Sequence, residues 1–388
     1  MSELKESLKL PIIIDLGSSE IKAGFSGEEK PSVIFKSYIG EPKYKKVFSA
    51  LYKENQEIKL HYVGEDCFKN IGLNKIRHPI KHGILTNEQD IMPLFNHIYS
   101  KLGVSTEEIS EHPLLITESL LNPYSNREKI SNSLFDDLGV PAIFFACQPI
   151  LSLFSTSSTT GIILESGEGV SQSCIVYEGY SLPNTYERFD YGGGDVTNVL
   201  KILMKKKGYQ LLNSNEYRFI SDMKEKYCFL LSSKYNLNFN NVRMALNAQK
   251  INYYLPDGTS ISLGDERIIA SEILFKPELI GKEFLGLSDI ILSSINKAEI
   301  QLRSKTYENI VLSGGNILMK GLEDKIKDDI IQKSNKIIKV NVNTIKEPQI
   351  SCWVGGNIIS SLDIFNKISI TKKEWEEKGN KIIHVKTI

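Results

Sequence analysis

Little in this sequence ties it to an oxidising compartment, a metal-built core or a membrane. The five cysteines, Cys67, Cys147, Cys174, Cys228 and Cys352, are odd in number, far apart and never in a CxxC spacing. That pattern excludes a disulfide framework and a zinc site of the usual spacing, and it fits a reducing compartment. The six histidines form no HExxH, so they read as surface or packing residues. Charge of one sign is not in excess, because 47 Lys and Arg meet 47 Asp and Glu. No long-range field therefore draws the chain to nucleic acid or to an anionic membrane. The runs Lys205–Lys207 and Lys43–Lys46 read as solvated faces. Apolar runs stay well short of the roughly 18 residues of a membrane span, and the first ten residues mix Glu, Lys and Ser with isolated leucines. The expectation is a protein of the cytosol or nucleus, without membrane insertion and without direct nucleic-acid binding.

What is present is an ordinary globular composition, 41% hydrophobic and 24% charged, over 388 residues. Single cores stop growing at roughly 250–300 residues, so two domains are expected. The start reads as a meander of short strands: Pro11–Ile14, a Gly/Ser turn, Ile21–Phe25, a turn at Ser26–Glu29, then Val33–Phe35. Residues Glu41–Lys59 are polar and strand-poor, an exposed loop that nonetheless carries Val47, Phe48, Leu51 and Tyr52. Thr86–Gln89 resembles a cap for a helix bearing Ile91, Leu94, Phe95 and Ile98 at helical spacing. Further helices are expected at Ser125–Leu138 and Pro149–Ser157.

The most informative feature is an internal repeat. Ile12-Ile-Ile-Asp15-Leu-Gly17-Ser18-Ser19 recurs as Ile162-Ile-Leu-Glu165-Ser-Gly167-Glu168-Gly169, with 165 − 15 = 150 and 167 − 17 = 150. Each copy is an apolar strand, an acid, a glycine-bearing turn and another strand, which predicts a duplicated α/β fold. A third turn, Ser313-Gly314-Gly315-Asn316, follows the apolar Ile310–Leu312 and precedes an amphipathic stretch through Leu322, Ile326 and Ile330. Such turns aim backbone N–H groups at one point, and glycine lets a phosphate come close. Ser18 adds a hydroxyl and Lys22 a point charge. Asp15 and Glu165, at matching strand ends, would face each other across a cleft and hold Mg²⁺ through water, as that ion prefers.

These residues resemble a known family. Asp15-Leu-Gly-Ser-Ser-Glu-Ile-Lys22-Ala-Gly-Phe-Ser-Gly27 is similar to the first phosphate loop of actins. His78-Pro-Ile-Lys-His-Gly83, His112-Pro-Leu-Leu-Ile-Thr-Glu118, Leu121-Asn-Pro, Asn126-Arg-Glu-Lys129, Tyr177-Glu-Gly-Tyr180-Ser-Leu-Pro183, Leu255-Pro-Asp-Gly258 and Trp353-Val-Gly-Gly356 resemble actin signatures in actin order. Among subfamilies the likeness is to conventional actin and to centractin, the actin-related protein of the dynactin filament, through Tyr253–Gly258, Phe275–Gly281 and Ile383–Ile388. The resemblance implies the actin/Hsp70/sugar-kinase fold, with two lobes around a nucleotide cleft. Residues 1–155 and 351–388 would form the first lobe, with a small exposed subdomain at about 37–80. Residues 156–350 would form the second, with a small subdomain at about 192–282.

Carried over residue by residue, the resemblance implies that Gly17, Ser18, Ser19 and Lys22 hold the phosphates of ATP or ADP. Gly167, Glu168, Gly169 and Val170 would form the opposing loop, with Asp15 and Glu165 near the waters of Mg²⁺. Gly193, Lys224, Glu225, Gly314, Gly315 and Met319 would line the adenosine pocket. Gln148 would orient the attacking water, with Glu165, Asp15 and Gln172 completing the catalytic set. Departures stand beside the matches: actins carry Asn at Leu16, Gly at Ser19, Asp at Glu165 and Glu168, His at Gln172, Arg at Gly194, Tyr at Met319 and Lys at Gln349. Slow hydrolysis is therefore expected, and the missing acidic N-terminal cluster argues against ordinary myosin binding.

Three functional classes follow. The first is an ATP-binding cytoskeletal protein that self-associates, or joins other actin-like subunits, in a filament or filament-like complex with actin-binding or dynactin-type partners. The second is a scaffold subunit of a larger complex, dynactin-like, a nucleator or a chromatin remodeller. The third, an enzyme or chaperone of the sugar-kinase/Hsp70 superfamily, leaves the actin signatures unexplained. For assembly, the Glu41–Lys53 loop would insert into a neighbour. Phe154, Thr159, Tyr180, Ile359, Leu362 and Ile368 occupy the receiving positions. A second loop, Pro277–Leu287, offers Leu279, Ile280, Phe284, Leu285 and Leu287.

Overall fold

A computed structural model describes residues 8–43, 61–69, 74–209, 214–232, 239–334 and 339–386. The chain divides into two units, Met1–Ser155 with Ile350–Ile388, and Thr156–Gln349.

In the first unit, Ile12–Leu16 sits near the middle of a six-stranded sheet. It runs antiparallel to Glu20–Phe25 and parallel to Leu114–Glu118. Val33–Lys36 extends one side, and Ala142–Cys147 with Ile370–Thr371 extends the other. Successive side chains point to opposite faces, and both faces are covered. Ile12, Ile14, Ile116 and Phe145 pack with Phe95 and Ile98 of the helix Ile91–Leu102. Ile13, Leu115 and Phe144 pack with Leu151 and Trp353, from the helices Gln148–Phe154 and Ser351–Ser360. Burial on both sides is why these strands read as unbroken apolar runs. The last two helices touch backbone to backbone: a Cβ on Gly355 would lie 1.8 Å from the Leu151 carbonyl oxygen.

Helix boundaries differ from expectation where the backbone intervenes. Asn87 accepts a bond from Gln89 N at 3.2 Å and opens the turn Glu88–Asp90 before the helix Ile91–Leu102. The helix begun at Tyr124 is regular only to Asn132 and widens to a π turn over Ser133–Asp137. The one expected over Pro149–Ser157 begins at Gln148 and ends at Phe154. Ser157, at φ +59, is left-handed and so cannot continue a right-handed helix.

The small sheet of this unit pairs Ile39–Pro42 with Tyr62–Val63 and Asn74–Arg77. Arg77 ties it down through Glu41 at 2.6 Å and through fully buried Asp90. Val47, Phe48, Leu51 and Tyr52 lie outside the described residues.

The second unit repeats the pattern. Ser171–Tyr177 runs antiparallel to Tyr180–Ser181 and to Gly161–Ser166, which runs parallel to Ile310–Ser313, itself parallel to Val342–Thr344. The sheet packs on the helices Gly193–Lys206, Leu287–Lys297 and Leu322–Lys333 through Val196, Leu200, Ile290, Ile291 and Ile326. A hairpin, Ile251–Tyr254 with Ser260–Leu263, stands apart from it. The 150-residue offset extends to register: Asp15 opposes Lys22, and Glu165 opposes Gln172. Since 22 + 150 = 172, Gln172 is the repeat counterpart of Lys22.

Candidate functional site

In both units the acid stands near the carboxyl end of a strand that has one parallel and one antiparallel neighbour, the end at which open α/β sheets place their ligands. In the first unit Asp15 is 3% exposed and holds three donors. Lys22 Nζ reaches Oδ2 at 3.1 Å, while Thr117 Oγ1 and Gln148 Nε2 reach Oδ1 at 2.6 and 3.0 Å. Burial alone would push the Lys22 ammonium down, but the charge of Asp15 and its hydrogen bond outweigh it and hold Lys22 above the ordinary lysine value. Lys22 is therefore shared with Asp15 and is not a free point charge. Gly17 N bends back to Asp15 O at 3.2 Å, and a Cβ on Gly17 would sit 2.3 Å from the Glu20 carbonyl oxygen. Glycine is thus required there by the turn itself. Ser18 Oγ accepts from Gly83 N at 3.2 Å, and Ser19 O accepts from Ser37 N at 2.8 Å.

In the second unit Gln172 Nε2 donates to Glu165 Oε2 at 3.1 Å, the same acid-to-partner bond with an amide in place of the ammonium. The loop Gly167-Glu168-Gly169-Val170 closes through Gly167 N to Val170 O at 2.9 Å. A Cβ on Gly167 would meet only Val170 O, at 3.9 Å, so this position is open. The loop's carbonyls are held from behind. Gly193 N and Asn316 Nδ2 donate to Gly167 O at 3.0 and 2.7 Å, and Gly194 N donates to Glu168 O at 2.8 Å. The first N–H groups of the helix Gly193–Lys206 thus find the partners that helix starts otherwise lack. Lys224 Nζ donates to Glu168 Oε2 and to Gly193 O, both at 3.0 Å, and Tyr217 OH donates to Glu168 Oε1 at 2.9 Å. The carboxylate and ammonium fill the space beside Gly193, where a Cβ would come within 3.0 Å of Lys224 Nζ and closer to Glu168 and Asn316.

The remaining predicted residues divide. Gly314, at φ +93, packs against Ser166, where a Cβ would lie 2.3 Å from the carbonyl oxygen, and its N–H donates to Pro348 O at 3.0 Å. Gly315 is exposed with open space at its Cβ position. Met319 is half-buried against the core of its unit. Glu225 is exposed and accepts from Ser221 Oγ at 3.2 Å, so it does not join its neighbour Lys224 at Glu168. Gln349 keeps a buried Oε1 with no partner among the described residues. Thr117 and Tyr217 stand outside the predicted set, and Asn316 enters it only as the end of the Ser313–Asn316 turn. Tyr217 lies seven residues before Lys224 on the helix Ser214–Tyr227 and so shares its face, a spacing that could have flagged it.

Open glycines at Gly167 and Gly315 and an orphaned buried acceptor at Gln349 are features that a phosphate-bearing, hydrogen-bonding ligand fits. Among the described residues no three His, Cys, Asp or Glu side chains stand together as a metal cluster, and no helix is long and apolar enough to cross a membrane.

The family model described as Actin matches residues 9–388. An actin-like protein of Neurospora crassa is 36% identical over 378 residues, which is 97% of this chain and 97% of that one. Match and likeness run through both sheet-built units and both glycine-turn hairpins, so the mixed α/β architecture is the duplicated two-lobed actin fold, and the chain belongs to the actin family.

Proposed function

We propose that this actin-family protein binds ATP or ADP with Mg²⁺ and serves as a cytoskeletal protein that assembles with itself or with other actin-like subunits, hydrolysing ATP slowly. The carrying observation is the pair of matched hairpins, each with a buried acid at the strand end, a partner seven residues on and a glycine turn. In this reading the Gly17–Ser19 and Gly167–Val170 turns take the phosphates with Lys22. Gly193, Lys224, Gly314, Gly315 and Met319 take the nucleoside, and Glu225 stands at its margin. Asp15 and Glu165 hold the cation through its waters, because Mg²⁺ dehydrates reluctantly. Three of the four lone-pair sites of Asp15 are already engaged, which suits an outer-sphere role. The bound nucleotide supplies a phosphoanhydride that water can cleave. Gln148 presents an acceptor for that water, and Glu165 with Gln172 form an acid–amide pair where family members carry Asp and His.

Assembly is supported by exposed apolar side chains: Leu279 at 60%, Leu362 at 52% and Tyr180 at 79% exposure. One specific observation favours the scaffold-subunit reading instead. Leu287 is fully buried, Ile280 packs on its own core, and the Phe284 ring lies 5.5 Å from Phe189. Of the residues expected to be offered outward, Leu287 and Ile280 turn inward because the helix Leu287–Lys297 needs its first residue in the core, while Leu279, Phe284 and Leu285 stay exposed. Sedimentation of purified protein at tens of micromolar with and without MgATP separates the readings. ATP-dependent pelleting supports assembly, and a protein that binds MgATP yet stays monomeric is a scaffold subunit. A protein that shows no thermal stabilisation at millimolar MgATP refutes nucleotide binding altogether.

A further inference from the structure

We propose that Thr117 is a positioning residue for Gln148, fixing which end of the Gln148 amide faces away from Asp15. The consequence for catalysis rests on the nucleotide-hydrolysing reading above, but the orientation itself rests on bonds within one unit.

The carboxylate of Asp15, paired with Lys22, can only accept hydrogen bonds, so the Gln148 nitrogen and not its oxygen must face it. A lone bond of this kind leaves an amide free to swing about its other proton. Thr117 supplies the second anchor. Its hydroxyl proton goes to Asp15 Oδ1 at 2.6 Å, a short contact that fixes the hydroxyl's direction. Its lone pairs then accept Gln148 Nε2 and Leu16 N, each at 3.3 Å. One proton given and two accepted saturates a hydroxyl. Because the two acceptors are only 2.6 Å apart, one N–H of Gln148 is shared between Asp15 and Thr117, and this pair of acceptors keeps the nitrogen inward and leaves Oε1 as the atom turned away.

The frame around this pair is stiff. Thr117 is 2% exposed and lies on the strand Leu114–Glu118, in register with Ala146 of the neighbouring parallel strand. That strand runs directly into the helix whose first two residues are Gln148 and Pro149, so the Gln148 backbone is held as well. Thr117 itself is too deep to touch a ligand. It acts through Gln148, keeping the amide nitrogen on Asp15 and its oxygen turned away as an acceptor.

The test uses full-length protein and two variants: Thr117→Val, which keeps the branched shape and deletes the hydroxyl, and Thr117→Ser, which keeps the hydroxyl. Three quantities are read: the ¹⁵N side-chain amide signals of Gln148, assigned by their loss in Gln148→Leu, MgATP affinity, and phosphate release in a single turnover. In Thr117→Val the Gln148 amide protons should shift and exchange faster, affinity should hold, and phosphate release should fall by about 10²-fold, the scale of a misplacement of about 1 Å. Thr117→Ser should match wild type in all three. Unchanged amide signals and phosphate release in Thr117→Val would overturn the proposal. So would equal losses in both variants, since packing and not the hydroxyl would then be responsible. If wild type binds no MgATP, the functional reading fails on its own, and the Gln148 amide signals still decide the positioning role.

Discussion

Gly167 and Gly17 hold the same place in the repeat, yet the structure expects opposite responses to one added methyl. At Gly167 a Cβ meets nothing nearer than Val170 O at 3.9 Å, an ordinary contact. Gly167→Ala should therefore leave the ligand-free fold intact, or stabilise it by about 0.4–1 kcal/mol by narrowing the unfolded ensemble. At Gly17 the same atom lies 2.3 Å from a backbone oxygen, which must move. Gly17→Ala should cost about 1–3 kcal/mol without any ligand, the usual range for overpacking. Ligand reverses the ranking at Gly167. A nucleotide at a hundredfold excess over its dissociation constant adds about 2.7 kcal/mol to the native state. For a unit of the size of Thr156–Gln349, that is about 5–10 °C in melting temperature, at roughly 2–4 °C per kcal/mol. A methyl in the open space beside Gly167 keeps a phosphate away from the turn, so Gly167→Ala should lose much of this shift and Gly167→Val all of it. Differential scanning fluorimetry with and without MgATP reads both halves. A full nucleotide shift in Gly167→Val, in a protein whose ligand-free melting is normal, would refute the assignment of this turn to phosphate.

Three further outcomes follow from the same geometry. Lys224→Met removes a charged hydrogen bond from the part-buried Glu168 carboxylate, which keeps Tyr217, and a donor from the Gly193 carbonyl, which keeps Thr197, so melting without nucleotide should drop by the equivalent of about 1.5–3 kcal/mol; an unchanged melting curve would show that the pair contributes nothing. The double change Glu165→Asp with Gln172→His should raise phosphate release, because it shortens the acid by one methylene and restores a group able to carry protons, a contribution of about 10²–10⁴-fold; a rate no higher than wild type contradicts this. Burial pushes the Glu374 carboxyl up, but the Lys386 and Thr371 hydrogen bonds and the charges of Lys386 and Lys378 outweigh it and hold it below the usual value. Its folded pKa is depressed, so the stability it contributes is present above the unfolded value of 4.5 and is lost as pH falls through the folded one. Trp375 is stacked on Phe135, and its fluorescence should report loosening of the helix Lys372–Lys378 below about pH 4.5. The Lys386→Met variant should show less acid dependence, and equal dependence in the two proteins would point to a different group.

The repeat was legible in sequence because a strand covered on both faces must be apolar at every position, and because a duplication preserves spacing even where side chains diverge. Ile12–Ile14 and Ile162–Leu164, each ending in an acid and a glycine, carry that signal without help from any partner. The duplicated α/β fold follows from it, and so does the identity of the two strand-end acids. Side-chain pairing was not legible, since it depends on distances between segments about a hundred residues apart. Thr117 and Gln148 meet Asp15 only because three parallel strands bring their carboxyl ends to one line. Lys224 and Glu225 are adjacent and both charged, yet packing of one helix face buries the first against Glu168 and leaves the second in water. Gly17 and Gly167 are equivalent as letters. Only the closure of each turn, back to Asp15 O in one and on to Val170 O in the other, makes the first a steric necessity and the second an open place for a ligand.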